Sequence, residues 1–221
     1  MAGRAGASAL REYERRHADR ERHAREKLGE LGVLLSRVIE EPHSTKVWRQ
    51  GAHGELLTAE RLEKRLRDHS VLLLHDRRVP GHRTANIDHI AVGSAGVLVI
   101  DSKTHRGKVR TDKVGGLFAQ RRQRLLIAGR DKTALIDGVE RQVGYVREAL
   151  SRGDTGLAVP VHGALCFPDP GGLPLLSKLR VRDITIAGTS AIAKLACQPG
   201  PLKPDAILGI WQRLAKALAP A

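Results

Sequence analysis

Apolar positions along this chain repeat with two different periods, and the change from one to the other marks its organisation. Residues 8–40 are rich in helix formers, free of proline, and dense in opposite charges three and four apart. The first half of that stretch is polar on every side. In the second half Leu28, Leu31, Leu35, Val38 and Ile39 make an apolar stripe. This pattern predicts a helix that ends at Pro42 and docks its C-terminal half on a core. The same helix is a candidate surface for a homo-oligomer, although its a/d repeat is too short for a coiled-coil arm. From residue 45 onward the pattern is that of a mixed α/β domain, so the chain divides into a charged helical extension at 1–44 and a domain at 45–221.

Within that domain WRQGAHGE leads into a helix over 58–69, with Leu57, Leu62 and Leu66 on one stripe. Short apolar runs predict strands at 71–75, 87–92 and 96–102, the last two separated by GSAG. An edge strand is expected at 124–127, and later strands at 157–167 and 184–187. Helices are expected at 133–151 and, after Pro204, at 205–218. PDPGGLP and CQPGPLKP are turn-rich loops. The fold class is α/β, a mixed central β-sheet flanked by helices with an N-terminal helical extension.

Composition narrows the partners. Of 221 residues 41% are hydrophobic and only 3% aromatic, so the core is built from Leu, Val, Ile and Ala. A balance of 38 basic against 24 acidic residues gives +14, which favours a polyanion such as nucleic acid over a merely soluble basic surface. Cys166 and Cys197 match no metal spacing and fit core thiols in a reducing compartment. No apolar leader segment and no run of about 18 apolar residues is present, so the expected location is cytoplasmic, with no membrane partner.

Candidate chemistry begins where GVLVIDSK ends. If GSAG is a symmetric turn, Asp88 falls opposite Asp101 with Cβ atoms about 5 Å apart, and Lys103 lies on the same side of the sheet. Opposed buried carboxylates repel, and a divalent cation removes the conflict; oxygen ligands suit Mg²⁺ or Mn²⁺. Such a pair can support phosphodiester hydrolysis, with Lys103 beside the water or the developing charge. An Asp–Lys pair fraying into solvent at a strand end is the plainer alternative. His89 points away from Asp88 and stays outside the site; His105 flanks it.

The order of WRQGAHGE, ANIDHIAVGSAGVLVIDSK, HRGKVR, AGRDKT, GVERQVGYV and VPVHGALCF resembles the nuclease-related domain (NERD) family, within the restriction-endonuclease-like PD-(D/E)XK superfamily. The resemblance implies a metal-dependent nuclease acting on nucleic acid, expected to be DNA, with a non-catalytic nucleic-acid-binding module as the alternative. It implies that Asp88 fills the metal-binding aspartate, that Asp101 and Lys103 fill the (D/E)-x-K, and that Glu55 is a third carboxylate. Gln142 matches a glutamine on the following helix, and Tyr145 echoes a glutamine–tyrosine pattern of related exonucleases. Asp101 departs from the glutamate most relatives carry. For Glu55 the alternative is an acid placed for the dipole of a helix N-terminus.

A basic tail follows the acidic pair. Between residues 102 and 124 lie Lys103, Arg106, Lys108, Arg110, Lys113, Arg121, Arg122 and Arg124 against Asp112 alone, half of the net charge. With only Phe118 to stack on a base, this cluster suits electrostatic contact with a phosphate backbone. A solvated hairpin is the alternative.

Overall fold

The apolar hairpin expected at 87–102 lies at the centre of a six-stranded sheet. The computed structural model describes residues 2–38, 43–82, 85–105, 107–115, 122–152, 159–173 and 178–221, and within them the side chains of all but residues 20, 27–38, 43–48, 114 and 170. Chain order is α1 (Ala7–Val38), α2 (His43–Leu66), β1 (Leu72–Arg78), β2 (Asn86–Gly93), β3 (Gly96–Ser102), β4 (Val109–Val114), β5 (Arg122–Ile127), β6 (Arg130–Asp131), α3 (Ala134–Ser151), β7 (Val161–Phe167), β8 (Leu179–Val181), β9 (Ile184–Gly188), α4 (Thr189–Ala196) and α5 (Pro204–Ala217). The large sheet runs β1-β2-β3-β7-β9-β8. Its β1, β2 and β3 are antiparallel, β3, β7 and β9 are parallel, and β8 closes the edge antiparallel to β9.

Both faces of this sheet are covered, which is why β3 is buried along its whole length. On one face Leu62 and Leu66 of α2 and Ile192 and Ala193 of α4 pack on Ala91, Leu98, Ile100 and Ala164. On the other, Ile136, Val139, Val143 and Val146 of α3 and Ile207 and Leu214 of α5 pack on Val97, Val99 and Leu165. Burying a core side chain of this size is worth about 1.5–3 kcal/mol, so the two layers fix the sheet between them.

Several elements depart from the sequence pattern. The segment WRQGAHGE is helical, because α2 runs unbroken from His43 through Gly51 and Gly54. The basic tail is not a tail: β4, β5 and β6 form a second, three-stranded antiparallel sheet. Val109, Leu125 and Ile127 bury one side of it in the α3–α5 core. Helix α4 is eight residues long and lay hidden between a strand and a proline-rich loop. In α1 the described anchor is the N-terminal end, where Ala5 and Ala9 are buried. The stripe from Leu28 to Ile39 lies outside the described side chains. Among the described residues no helix is long and apolar enough to cross a membrane.

Candidate active site

The β2–β3 register is the one the GSAG turn predicts: Gly93 pairs with Gly96, Ile90 with Val99, and His89 with Ile100. The paired ladder ends there, and one further step of the same register sets Asp88 against Asp101. Val97 and Val99 face the α3 layer, so by alternation Asp101 does too. Asp88 Oδ2 accepts the Ser102 N–H at 2.8 Å, which ties the acid of one strand to the backbone of the other. The Lys103 ammonium lies 2.8 Å from Asp101 Oδ2, 3.9 Å from Asp88 Oδ2 and 3.2 Å from the Ser102 carbonyl. The two carboxylates are 8% and 12% exposed and the lysine 34%, so the cluster sits at the mouth of the core.

Neighbouring helices supply the other two side chains. Gly163 of β7 lets α3 approach closely, since a Cβ there would come within 2.8 Å of Val139 and 3.0 Å of Val143. That helix carries the half-buried Gln142, whose Nε2 donates to Asp101 Oδ1 at 3.0 Å. A carboxylate only accepts, so the amide is held with Oε1 away from Asp101. That oxygen is buried and has no partner among the described residues. On α2, Thr58 Oγ1 lies 2.7 Å from Ser102 Oγ, and the Gly54 carbonyl accepts from both hydroxyls. These bonds clamp the helix to the end of β3 and bring Glu55 beside the aspartates. Glu55 occupies the middle of α2, so the helix-dipole reading of this residue does not apply.

Burial, more than any neighbouring charge, disfavours ionisation of these carboxyls. Burial, then the charge of Asp88 and of Asp76, push the Glu55 carboxyl up to about 9. Burial raises Asp88 to about 7 against the opposing pull of Lys103, with Asp101 adding to the rise. Burial pulls Lys103 down, but Asp88 and Asp101 outweigh it and hold the ammonium above its ordinary value.

Asp76, which sequence reasoning passed over, belongs to the same group through its charge on both Glu55 and Asp88. It is buried in β1, and LLLHDRR offers only a charge where an apolar run ends. The signal that finds it is the pairing: His75 opposes His89 and Arg77 opposes Ile87, so Asp76 lies in the row of Asp88 and Asp101. His89 faces the opposite layer, with its Nδ1 2.9 Å from that of His75. Tyr145 lies against His82, ring centroids 4.9 Å apart.

The basic residues divide. Lys108 lines a groove of about 820 Å³ with His105, Gly107, Asp169 and Gly172, directly beyond Lys103 in the chain. Arg110, Lys113 and Arg122 are exposed on β4 and β5. Arg124 lies 2.7 Å from Asp112 and 3.8 Å from Asp131, so its charge has acidic partners. Arg106, Arg121 and Phe118 lie outside the described residues.

The donor set fits a hard divalent cation. It consists of oxygens, and among the described residues the buried Gln142 Oε1 has no partner. Among the described residues no group of three or more His, Cys, Asp or Glu side chains is placed to hold a metal ion. Against known proteins, the model of the nuclease-related domain family matches residues 50–168, which include every acidic and amide side chain of the site. No curated protein and no solved structure matches the chain.

Proposed function

The chain belongs to the nuclease-related domain family, and on that premise we propose that it is a metal-dependent nuclease that hydrolyses phosphodiester bonds in DNA. The observation that carries this reading is the placement of Lys103 between two opposed, buried aspartates, in a group of carboxyls whose ionisation burial disfavours. Asp88 and Asp101 would hold Mg²⁺ or Mn²⁺, with Glu55 as the third carboxylate nearby. When bound, the cation supplies Lewis-acid polarisation of a phosphoryl oxygen and a more acidic water.

The chain's own residues do the rest. Lys103 stays protonated and stabilises negative charge as it develops on the phosphate. Gln142, fixed by its bond to Asp101, presents Oε1 as an acceptor that orients a water or a hydroxyl. Lys108, Arg110, Lys113 and Arg122 bind the phosphate backbone without reading bases. Two free thiols, Cys166 and Cys197, suit a cytoplasmic location. The rival is a binding module that keeps this fold without cleaving; the 2.8 Å pairing of Lys103 with Asp101 is the observation on its side.

Incubation with plasmid, linear and single-stranded DNA and with RNA, in Mg²⁺, Mn²⁺ or EDTA, tests the proposal. Cleavage that requires the metal and stops in EDTA is expected. Binding without cleavage of any substrate would favour the module.

A further inference from the structure

Residues 2–9 lie outside the matched family range, yet they touch two elements that carry the acidic centre. Ala2 accepts the His75 N–H at 2.7 Å, next to Asp76 on β1. Gly3 and Gly6 have φ of +83° and +68°, a region that favours glycine. A Cβ on Gly3 would fall 2.1 Å from the His75 carbonyl oxygen, and one on Gly6 would fall 2.9 Å from that of Ala52. Ala52 precedes Glu55 by three residues on α2, so the segment lies against both the helix of Glu55 and the strand of Asp76.

Its main polar contact is with Asp76. Ser8 donates its backbone N–H to Asp76 Oδ2 and its hydroxyl to Oδ1, both at 2.7 Å, and Asn86 Nδ2 adds a third donor at 3.4 Å. The Ser8 amide belongs to the first turn of a 32-residue helix, where backbone N–H groups have no helical partner and the positive end of the dipole lies. Asp76 has a left-handed φ of +46° and makes no ladder pair with Asp88, although it stands in the same row.

We infer that residues 2–9 are a positioning strap for the acidic centre, in which Ser8 holds Asp76 so that its carboxylate does not draw Lys103 or a cation away from Asp88 and Asp101. This rests on the nuclease reading for its effect on rate. Unheld, Asp76 adds a buried negative charge in the row of Asp88, since its neighbours His75 and Arg77 pair with His89 and Ile87. Held by two short donors and a helix terminus, it is compensated locally.

Three substitutions in the full chain separate this role from simple support of the fold. Ser8→Pro removes both donors where the first helical turn tolerates proline. Asp76→Asn removes the charge and is tolerated at a left-handed φ. Ser8→Thr keeps both donors. In Ser8→Pro we expect kcat to fall about tenfold, the scale of one charge-assisted hydrogen bond, with KM little changed. Mn²⁺ binding by calorimetry should be tighter than in wild type. Adding Asp76→Asn should return kcat to within about twofold of wild type, and Ser8→Thr should match wild type. If Ser8→Pro does not fold, Ser8→Ala carries the same comparison through loss of the hydroxyl.

Wild-type kcat in Ser8→Pro, or a double variant as slow as Ser8→Pro alone, overturns the strap. If the wild type cleaves nothing, the nuclease reading has failed and the Mn²⁺ isotherms decide. Tighter binding in Ser8→Pro that Asp76→Asn reverses supports the strap; identical isotherms in all variants overturn it.

Discussion

Asp88 and His89 are neighbours on one strand, the first partly exposed and the second fully buried, and they meet burial in opposite ways. Asp88 faces α3 and shares its row with Asp101 and Asp76, where burial disfavours its ionisation. His89 faces α2, fully buried, and is held far below its ordinary pKa by burial and then by the His75 ring, so it stays neutral. Its Nδ1 meets that of His75 at 2.9 Å, and His75 Nε2 lies 3.3 Å from the exposed Glu63. A neutral imidazole can exchange one hydrogen bond inside the core and remain stable there. A row of carboxylates is stable only with protons or cations, which gives it a use. A buried polar pair therefore points to function only when its charge is left uncompensated.

The largest test of this difference is Lys103→Ala. An ammonium that stabilises charge at the transition state contributes more there than in the bound complex. Cleavage should drop about 100-fold or more, the scale for one preorganised group. Mn²⁺ binding should persist, because an ammonium is no ligand, and Lys103→Arg should rescue only in part. Equal loss of metal and rate would make Lys103 a brace for the aspartates instead.

How far these features were legible in the sequence follows from their range. The hairpin was readable because its turn, alternation and charged end all lie within seventeen residues, and one register satisfies them. Asp76 was not, since its place in the row needs the β1 pairing and a left-handed backbone that interrupts strand alternation. Helix α2 was shortened because Gly51 and Gly54 weaken local propensity, and packing on β3 restores it. The β4 half of the second sheet read as part of a basic tail because VRTDKV is mostly polar, although an edge strand was expected at 124–127. Its apolar partners, Leu125 and Ile127, arrive a dozen or more residues later.

A second test uses pH on the metal-free protein. Glu55 and Asp88 have folded values raised from 4.5 to about 9 and from 3.8 to about 7. The unfolded chain releases those protons first, so their contribution is full below the unfolded values and is lost as pH rises towards the folded ones. His89 and His75 are depressed from 6.5, so their contribution is full above 6.5 and is lost as pH falls below it. Thermal melts should therefore decline on both sides of a maximum. Glu55→Gln should flatten the alkaline limb, as should saturating Mn²⁺, and neither should alter the acid limb. An alkaline limb indifferent to both would mean that the carboxylates are not the strained group.

The smallest expected effect on chemistry is that of His89→Leu, and it is the sharpest check on the separation of the two faces. Leucine is of similar size and fills the layer among Leu62, Ala91 and Ile100, but it leaves His75 Nδ1 without its partner. Removing one partner of a buried hydrogen bond costs about 1–3 kcal/mol, so the melting temperature should fall by several degrees near neutral pH. The acid limb should become shallower, because one of the two imidazoles that must charge on unfolding is gone. Asp88 keeps its bond to the Ser102 amide, which lies on the other strand and does not depend on the imidazole. Mn²⁺ affinity and cleavage at a temperature well below the melt should then stay within about twofold of wild type. A variant that melts as expected yet no longer binds Mn²⁺ would show that the histidine layer sets the position of Asp88, and the two faces would have to be treated as one site.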